Sequence, residues 1–246
     1  MSILSIAKHH IRKFSAVPRA LRARQLLRRL PDGDYYIEGV PYHCQFASPK
    51  RVADILEGRL AAEDDPRWRV FGYKTKEEAG YWAGRQCGIS CVNMLLEGTG
   101  RVLSVAELTR QGVALGGYDT AADRGWYYKP LAALLRSHGI DCYSVGYLPL
   151  YTLAQHLYHK RPAIISVNPQ IIRGDATVTI HDKGGHLVVA LGFRKHAGTI
   201  EGVIIHNPSG KSPEMRNRAY IPLDQFLLAY GERGILVAQP YETRRQ

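Results

Sequence analysis

The chain has 246 residues, 45% hydrophobic and 22% charged, with 24 Gly and 13 Pro that show no period. These values suit one large domain or two modest lobes, and they exclude coiled-coil, collagen-like and wholly disordered readings. The net charge of +11 is concentrated: eight of the 33 basic residues and none of the 22 acidic ones fall within residues 1–30, leaving a nearly neutral body of 25 against 22.

From the N-terminus, Ile3, Leu4, Ala7, Ile11 and Phe14 recur at helical spacing, with Lys8, His9, Arg12 and Lys13 opposite. The pattern resumes after Pro18 as Ala20, Ala23, Leu27 and Leu30, and Pro31-Asp32-Gly33-Asp34 ends it. Residues 1–34 thus read as a basic amphipathic arm of one or two helices. Such an arm suits an anionic membrane surface or an acidic protein, or packs on its own domain with a solvated basic face. Nucleic acid is disfavoured as its partner, because no aromatic or glycine motif accompanies the arginines. Lys8, Arg12 and Lys13 interrupt any secretory h-region.

The body, residues 35–246, opens on a strand-like stretch from Tyr35 to Tyr42, then a helix near 49–58 and an irregular, charge-rich segment from Arg59 to Lys76. Ile89, Val92, Leu95 and Leu96 predict a helix over 87–97, stopped by Gly98 and Gly100. Further helices are expected at 104–111, 128–138 and 150–159. The uncharged run Cys142–His159 has the length of a membrane span but carries Pro149, Gln155 and two His, which argues against one. Beyond Pro162 the chain turns β-rich, with strands expected at 163–167, 187–193, 203–205 and 235–238. A helical first part and a sheet-forming second part predict an α+β fold with two lobes. No internal repeat is visible.

Four cysteines (Cys44, Cys87, Cys91 and Cys142) are too few for a disulfide framework and point to a reducing, cytoplasmic setting, membrane-peripheral if the arm meets lipid. Cys87 opens the predicted helix, where the dipole and free N–H groups favour thiolate, and Gly88 permits close approach. Cys91, one turn on beside Leu95, belongs to the core. A nucleophilic thiol needs a base, and His186 in Gly184-Gly185-His186-Leu187-Val188 opens an apolar strand at a sheet rim. If the following hairpin turns between His196 and Ala197, Asn207 sits directly opposite His186, placed to steer one imidazole nitrogen and free the other. The competing use is zinc, with Cys87, Cys91 and one of His181, His186 or His206. It is disfavoured because both Cys lie on one helix and no second ligand pair exists.

The segments Val40-Pro41-Tyr42-His43-Cys44-Gln45, Gln86-Cys87-Gly88-Ile89-Ser90-Cys91, Gly185-His186-Leu187-Val188-Val189 and His206-Asn207-Pro208-Ser209-Gly210 occur in that order. Over roughly residues 35–240 the chain resembles papain-like cysteine peptidases, in particular the bacteriocin-leader (double-glycine) processing family. The resemblance implies a papain-like fold, a helical N-terminal lobe and an antiparallel β-sheet C-terminal lobe. It implies a peptide or peptide-like substrate and a need for neither metal nor organic cofactor. It makes Cys87 the nucleophile, His186 the general base, Asn207 the orienting residue and Gln45 the oxyanion donor beside the Cys87 N–H. Relatives usually carry that Gln within about a dozen residues of the Cys. Here the gap in number is 42, Tyr81 occupies the nearer place, and Gln86 is the fallback donor. Residues 46–85 then read as an insertion whose aromatics (Trp68, Phe71, Tyr73, Tyr81, Trp82) either wall a cleft or, for most, pack the insertion down. A thiol acyl- or aminoacyltransferase and a non-catalytic peptide-binding module on the same fold are the alternatives.

Overall fold

The structure, a computed structural model, describes residues 3–173 and 183–242. A single helix α1 (Ile3–Arg28) runs through Pro18, so the two apolar stretches of the arm belong to one rod. Its C-terminal half is part of the domain: Ala23 and Leu27 are buried, and α1 packs on α7 (Leu150–Tyr158). Val17, Leu21 and the arginines beside them stay exposed. The expected boundary at residue 34 falls inside strand β1 (Gly33–Tyr36), and Ile37 adds one more bond, its N–H donating to Leu191 O at 3.0 Å. The expected strand through Tyr42 is otherwise irregular.

Residues 46–85 contain 3₁₀ turns, the short α2 (Val52–Leu56) and α3 (Lys76–Ala83). The sequence reading missed α3, although Thr75 caps it and Glu78 stands three residues on. Thr75 Oγ1 accepts from Glu78 N at 3.1 Å, and the Glu78 carboxylate accepts from Lys74 N at 3.0 Å. Next come α4 (Cys87–Gly98), α5 (Val105–Ala114) and α6 (Tyr128–Ser137). The stripe on α4 lies where its periodicity sets it, with Ile89, Val92, Leu95 and Leu96 fully buried.

The second half supplies β2 (Cys142–Val145), β3 (Ala163–Val167), β4 (His186–His196), β5 (Thr199–His206), β6 (Ala219–Pro222) and β7 (Tyr230–Val237), with α8 (Leu223–Ala229) before the last strand. They form one antiparallel sheet in the order β2-β7-β3-β4-β5-β6, and β1 pairs with the far end of β4. The fold is thus α+β, with α4 packed on β4 and α6 on β2. One continuous core joins helices and sheet, running from Met94 and Leu134 to Val188 and Phe193. A small second cluster of Cys44, Phe46, Val52 and Ala83 lies under the insertion.

Among the described residues, no helix is long and apolar enough to cross a membrane. Cys142 is in β2 and Leu150–Tyr158 is helical, so the uncharged run is divided between two elements.

Candidate active site

Cys87 is the first residue of α4 and is half-buried. The two residues before it are tied down from several directions. Trp126 Nε1 donates to Arg85 O at 2.7 Å, and the Arg85 guanidinium holds Asp123 through two bonds of 2.7 and 2.8 Å. Tyr73 donates its hydroxyl to Gln86 Oε1 at 2.6 Å, while Gln86 Nε2 donates to Gln45 O. Gly88 has a packing purpose: a Cβ there would lie 2.8 Å from Trp126 Cγ and 3.0 Å from a Leu131 methyl. The close approach permitted by Gly88 is therefore that of the Trp126 ring.

His186 opens β4 and Asn207 follows β5, but the hairpin differs from expectation. The turn is Ala197-Gly198, both at positive φ, one residue later than the sequence reading set it. Val189 therefore faces His206, two residues out of the expected register, and bulges follow further along the pair. Because the slip is even, the side chains keep their face. Asn207 reaches the ring diagonally: His186 Nε2 lies 2.9 Å from Asn207 Oδ1, and Asn207 N donates to Arg216 O at 2.9 Å. In the turn that follows, Ser209 Oγ lies 3.2 Å from the same Nε2.

Cys87 and His186 line one cleft of about 650 Å³. Trp126, Tyr118, Tyr127 and Tyr128 supply its aromatic wall, and the paired Arg85 and Asp123 lie on its rim. None of the five insertion aromatics lines it; Trp82 instead packs edge-on against Tyr118 behind the wall. The wall belongs to residues 118–128, a stretch without apolar period that sequence reasoning passed over. Its Trp and three Tyr in eleven residues were the available signal.

Burial dominates the electrostatics. It pushes the Cys87 thiol up, against the opposing pull of the backbone N–H groups of Leu187, Gly88 and Cys87 itself. It pushes His186 down to about 4, with the Asn207 hydrogen bond opposing. Asp123 is held at about 2 by its hydrogen bonds from Arg85 and Tyr118.

Gln45 and Gln86 are buried and do not line the cleft. Gln45 Nε2 donates to Ala83 O at 2.9 Å, and its Oε1 is buried without a partner. Both ends of Gln86 are used inside the protein. Cys91 is buried in the core. Of the residues considered for zinc, His206 spends both nitrogens on Val40 O and Arg218 N–H, and His181 lies outside the described residues.

The helices packed on one antiparallel sheet make a papain-like fold, with Cys87 at a helix N-terminus and His186 at a strand start on one cleft. The chain belongs to the Peptidase_C39 like family, whose model matches residues 70–236. Its fold is shared with a protein described as a C39-like peptidase from Bacillus anthracis. That protein is 14% identical, with a TM-score of 0.52, and the match covers 86% of this chain and 100% of that one. The peptidase domain of Streptococcus ComA, a bi-functional ABC transporter of a quorum-sensing pathway, is also similar. It is 18% identical, with a TM-score of 0.44, and the match covers 63% of this chain and 93% of that domain. Among curated proteins, no relative matches.

Proposed function

We propose that the protein is a cysteine peptidase in which Cys87, His186 and Asn207 act as nucleophile, base and orienting residue. The observation that carries this reading is the shared cleft: Cys87 and the Asn207-bound His186 both line it. Nε2–H donates to Asn207 Oδ1, which leaves Nδ1 as the nitrogen that exchanges a proton with the thiol. Burial disfavours the charged form of each, the thiolate of Cys87 and the imidazolium of His186.

The Cys87 proton passes to Nδ1 as sulfur attacks the substrate carbonyl carbon, and the carbonyl π electrons move onto oxygen. Collapse of this tetrahedral species breaks the C–N bond. The leaving amine takes the proton from Nδ1, and an acyl-thioester remains on Cys87. Water, giving a proton to Nδ1, then attacks the thioester, releases the acid and returns the thiol. N–H groups of the first α4 turn, that of Cys87 among them, serve the oxyanion, a donor being worth about 3–4 kcal/mol. For Gln45 to join them its amide must leave Ala83 O.

The test is Cys87→Ala. Near pH 7 the wild type is expected to take one iodoacetamide label that this variant loses, and to cleave peptides that the variant leaves whole. Equal labelling of the two would overturn the assignment. Mass analysis of the products with and without an added amine separates hydrolysis from acyl transfer. A protein that binds peptide, yet neither labels nor cleaves, is a binding module.

The exposed basic side of α1 is assigned to an anionic membrane surface. Support comes from eight positive charges without a negative one in residues 1–30, beside exposed Val17 and Leu21.

A further inference from the structure

Asn207 shares its side of the His186 ring with a second polar group. Nε2 lies 2.9 Å from Asn207 Oδ1 and 3.2 Å from Ser209 Oγ, and all three residues are buried. The Ser209 N–H donates to the same Oδ1 at 3.2 Å. Oδ1 therefore accepts two N–H bonds, one of them from main chain. Asn207 Nδ2 has no partner of its own, so that main-chain donor is what keeps the carbonyl end of the amide toward the ring.

A single ring N–H faces two acceptors in a three-centre arrangement. While the imidazole is neutral, the second acceptor adds little. Once the ring takes the thiol proton, the N–H belongs to a cation, and hydrogen bonds from a charged donor are about twice as strong. A carboxylate at this place would supply a full negative charge. Asn207 is neutral, so two oxygen dipoles share the task, and the turn after Asn207 brings the Ser209 hydroxyl within reach of the ring.

We propose that Ser209 is a positioning residue of the catalytic centre, its hydroxyl holding the His186 imidazolium through Nε2–H and so favouring the reactive thiolate of Cys87. This inference rests on the cysteine-peptidase reading above. The other charged or titratable groups lining the cleft are the Arg85–Asp123 pair, Arg124, Tyr118, Tyr127 and Tyr128, and none of them changes in the variants compared below.

The experiment follows the alkylation rate of Cys87 by iodoacetamide from pH 5 to 9 in the full chain. It compares wild type, Ser209→Ala, Ser209→Thr and His186→Ala. Ser209→Ala is expected to slow alkylation about fivefold near pH 7, the worth of one ordinary hydrogen bond, and to move the rising limb to higher pH. Ser209→Thr keeps the hydroxyl and is expected to restore the wild-type profile. A purely structural role would leave the profile where it is. Should the alanine variant not fold, Ser209→Gly, which also lacks the hydroxyl, is expected to show the same loss. An alanine profile that superimposes on wild type overturns the proposal, as does a threonine variant no better than alanine. A His186→Ala profile that superimposes on wild type overturns the peptidase reading itself, and with it the role given to Ser209.

Discussion

Three buried histidines make this protein acid-sensitive in a defined window. His156, His186 and His206 are each held at about 4 by burial, against an ordinary value near 6.5. Geometry explains why none accepts a second proton easily. His206 accepts the Arg218 N–H at Nδ1 and donates Nε2–H to Val40 O, so a proton on Nδ1 would face another N–H. His156 Nε2 is buried without a partner, and charging the ring would leave a cation there. A folded-state value below the unfolded one means that the unfolded chain binds protons first. Their contribution is therefore complete above pH 6.5, falls as the pH drops from 6.5 to 4, and is flat below. At pH 5 each His costs about 2 kcal/mol by this linkage, and the three together about 6, comparable with the whole stability of many domains. Lowered carboxylates such as Asp123 lose their contribution only below about pH 4, outside the window. Urea unfolding at pH 7.5, 6 and 5 measures it directly. With a slope of about 2–3 kcal/mol per molar urea, the midpoint should fall by about 2–3 M between pH 7.5 and 5. His156→Leu should recover about a third of that fall. A midpoint that stays constant over this range would refute the reasoning.

Two further outcomes are expected. Gly88→Ala gains about 1 kcal/mol of helix propensity but drives its methyl into the Trp126 ring, an overpacking cost of about 1–3 kcal/mol. A net loss in the urea midpoint with an altered Trp emission is expected, and a stabilised variant with unchanged emission would count against the packing role. Replacing Lys8, Arg12, Lys13 and Arg19 by Gln should weaken sedimentation with phosphatidylserine vesicles at low salt while leaving Cys87 labelling intact. Binding that ignores both salt and these charges would rule out the electrostatic contact. Deleting all of residues 2–30 is a poor alternative, since it strips buried Ala23 and Leu27 from the core.

How much of this was legible in the sequence depended on whether the signal was local. The apolar stripe of α4 and the runs of β3 and β4 are dense and periodic, and they appear where periodicity sets them. β2 and β6 have four residues each, and α8 seven beginning just after Pro222, too short to impose a period. The hairpin register failed by the position of one turn: Ala197 adopts the left-handed conformation at φ 46°, where a symmetric reading favoured His196-Ala197 as the centre. Side-chain facing survived because the error was even. The cleft wall was invisible for another reason. Residues 118–128 are placed by the Arg85–Asp123 and Trp126–Arg85 bonds, which span about forty residues of sequence that no local pattern connects.

The long gap between Gln45 and Cys87 has a physical resolution in the same kind of contact. Residues 46–85 leave the body and return to the point of departure. Gln45 Nε2 donates to Ala83 O, and Gln86 Nε2 donates to Gln45 O, so the two ends of the insertion are stapled to each other. Closing a loop of this length costs little more than closing one of a dozen residues, because the entropy grows only with the logarithm of length. Two buried amide bonds at its base offset that difference. The staple also continues in both directions. Thr109 and Tyr73 hold Gln86 from the helical side, and Gln45 N donates to Pro208 O, one residue past Asn207, at 2.8 Å. A chain of hydrogen bonds thus runs from α5 past the residue preceding the thiol to the residue following Asn207. Gln45 is thus tied to the residue preceding Cys87, and its side-chain amide is spent on closing the base of the insertion. Gln45 Nε2 is thereby held on Ala83 O, away from the cleft.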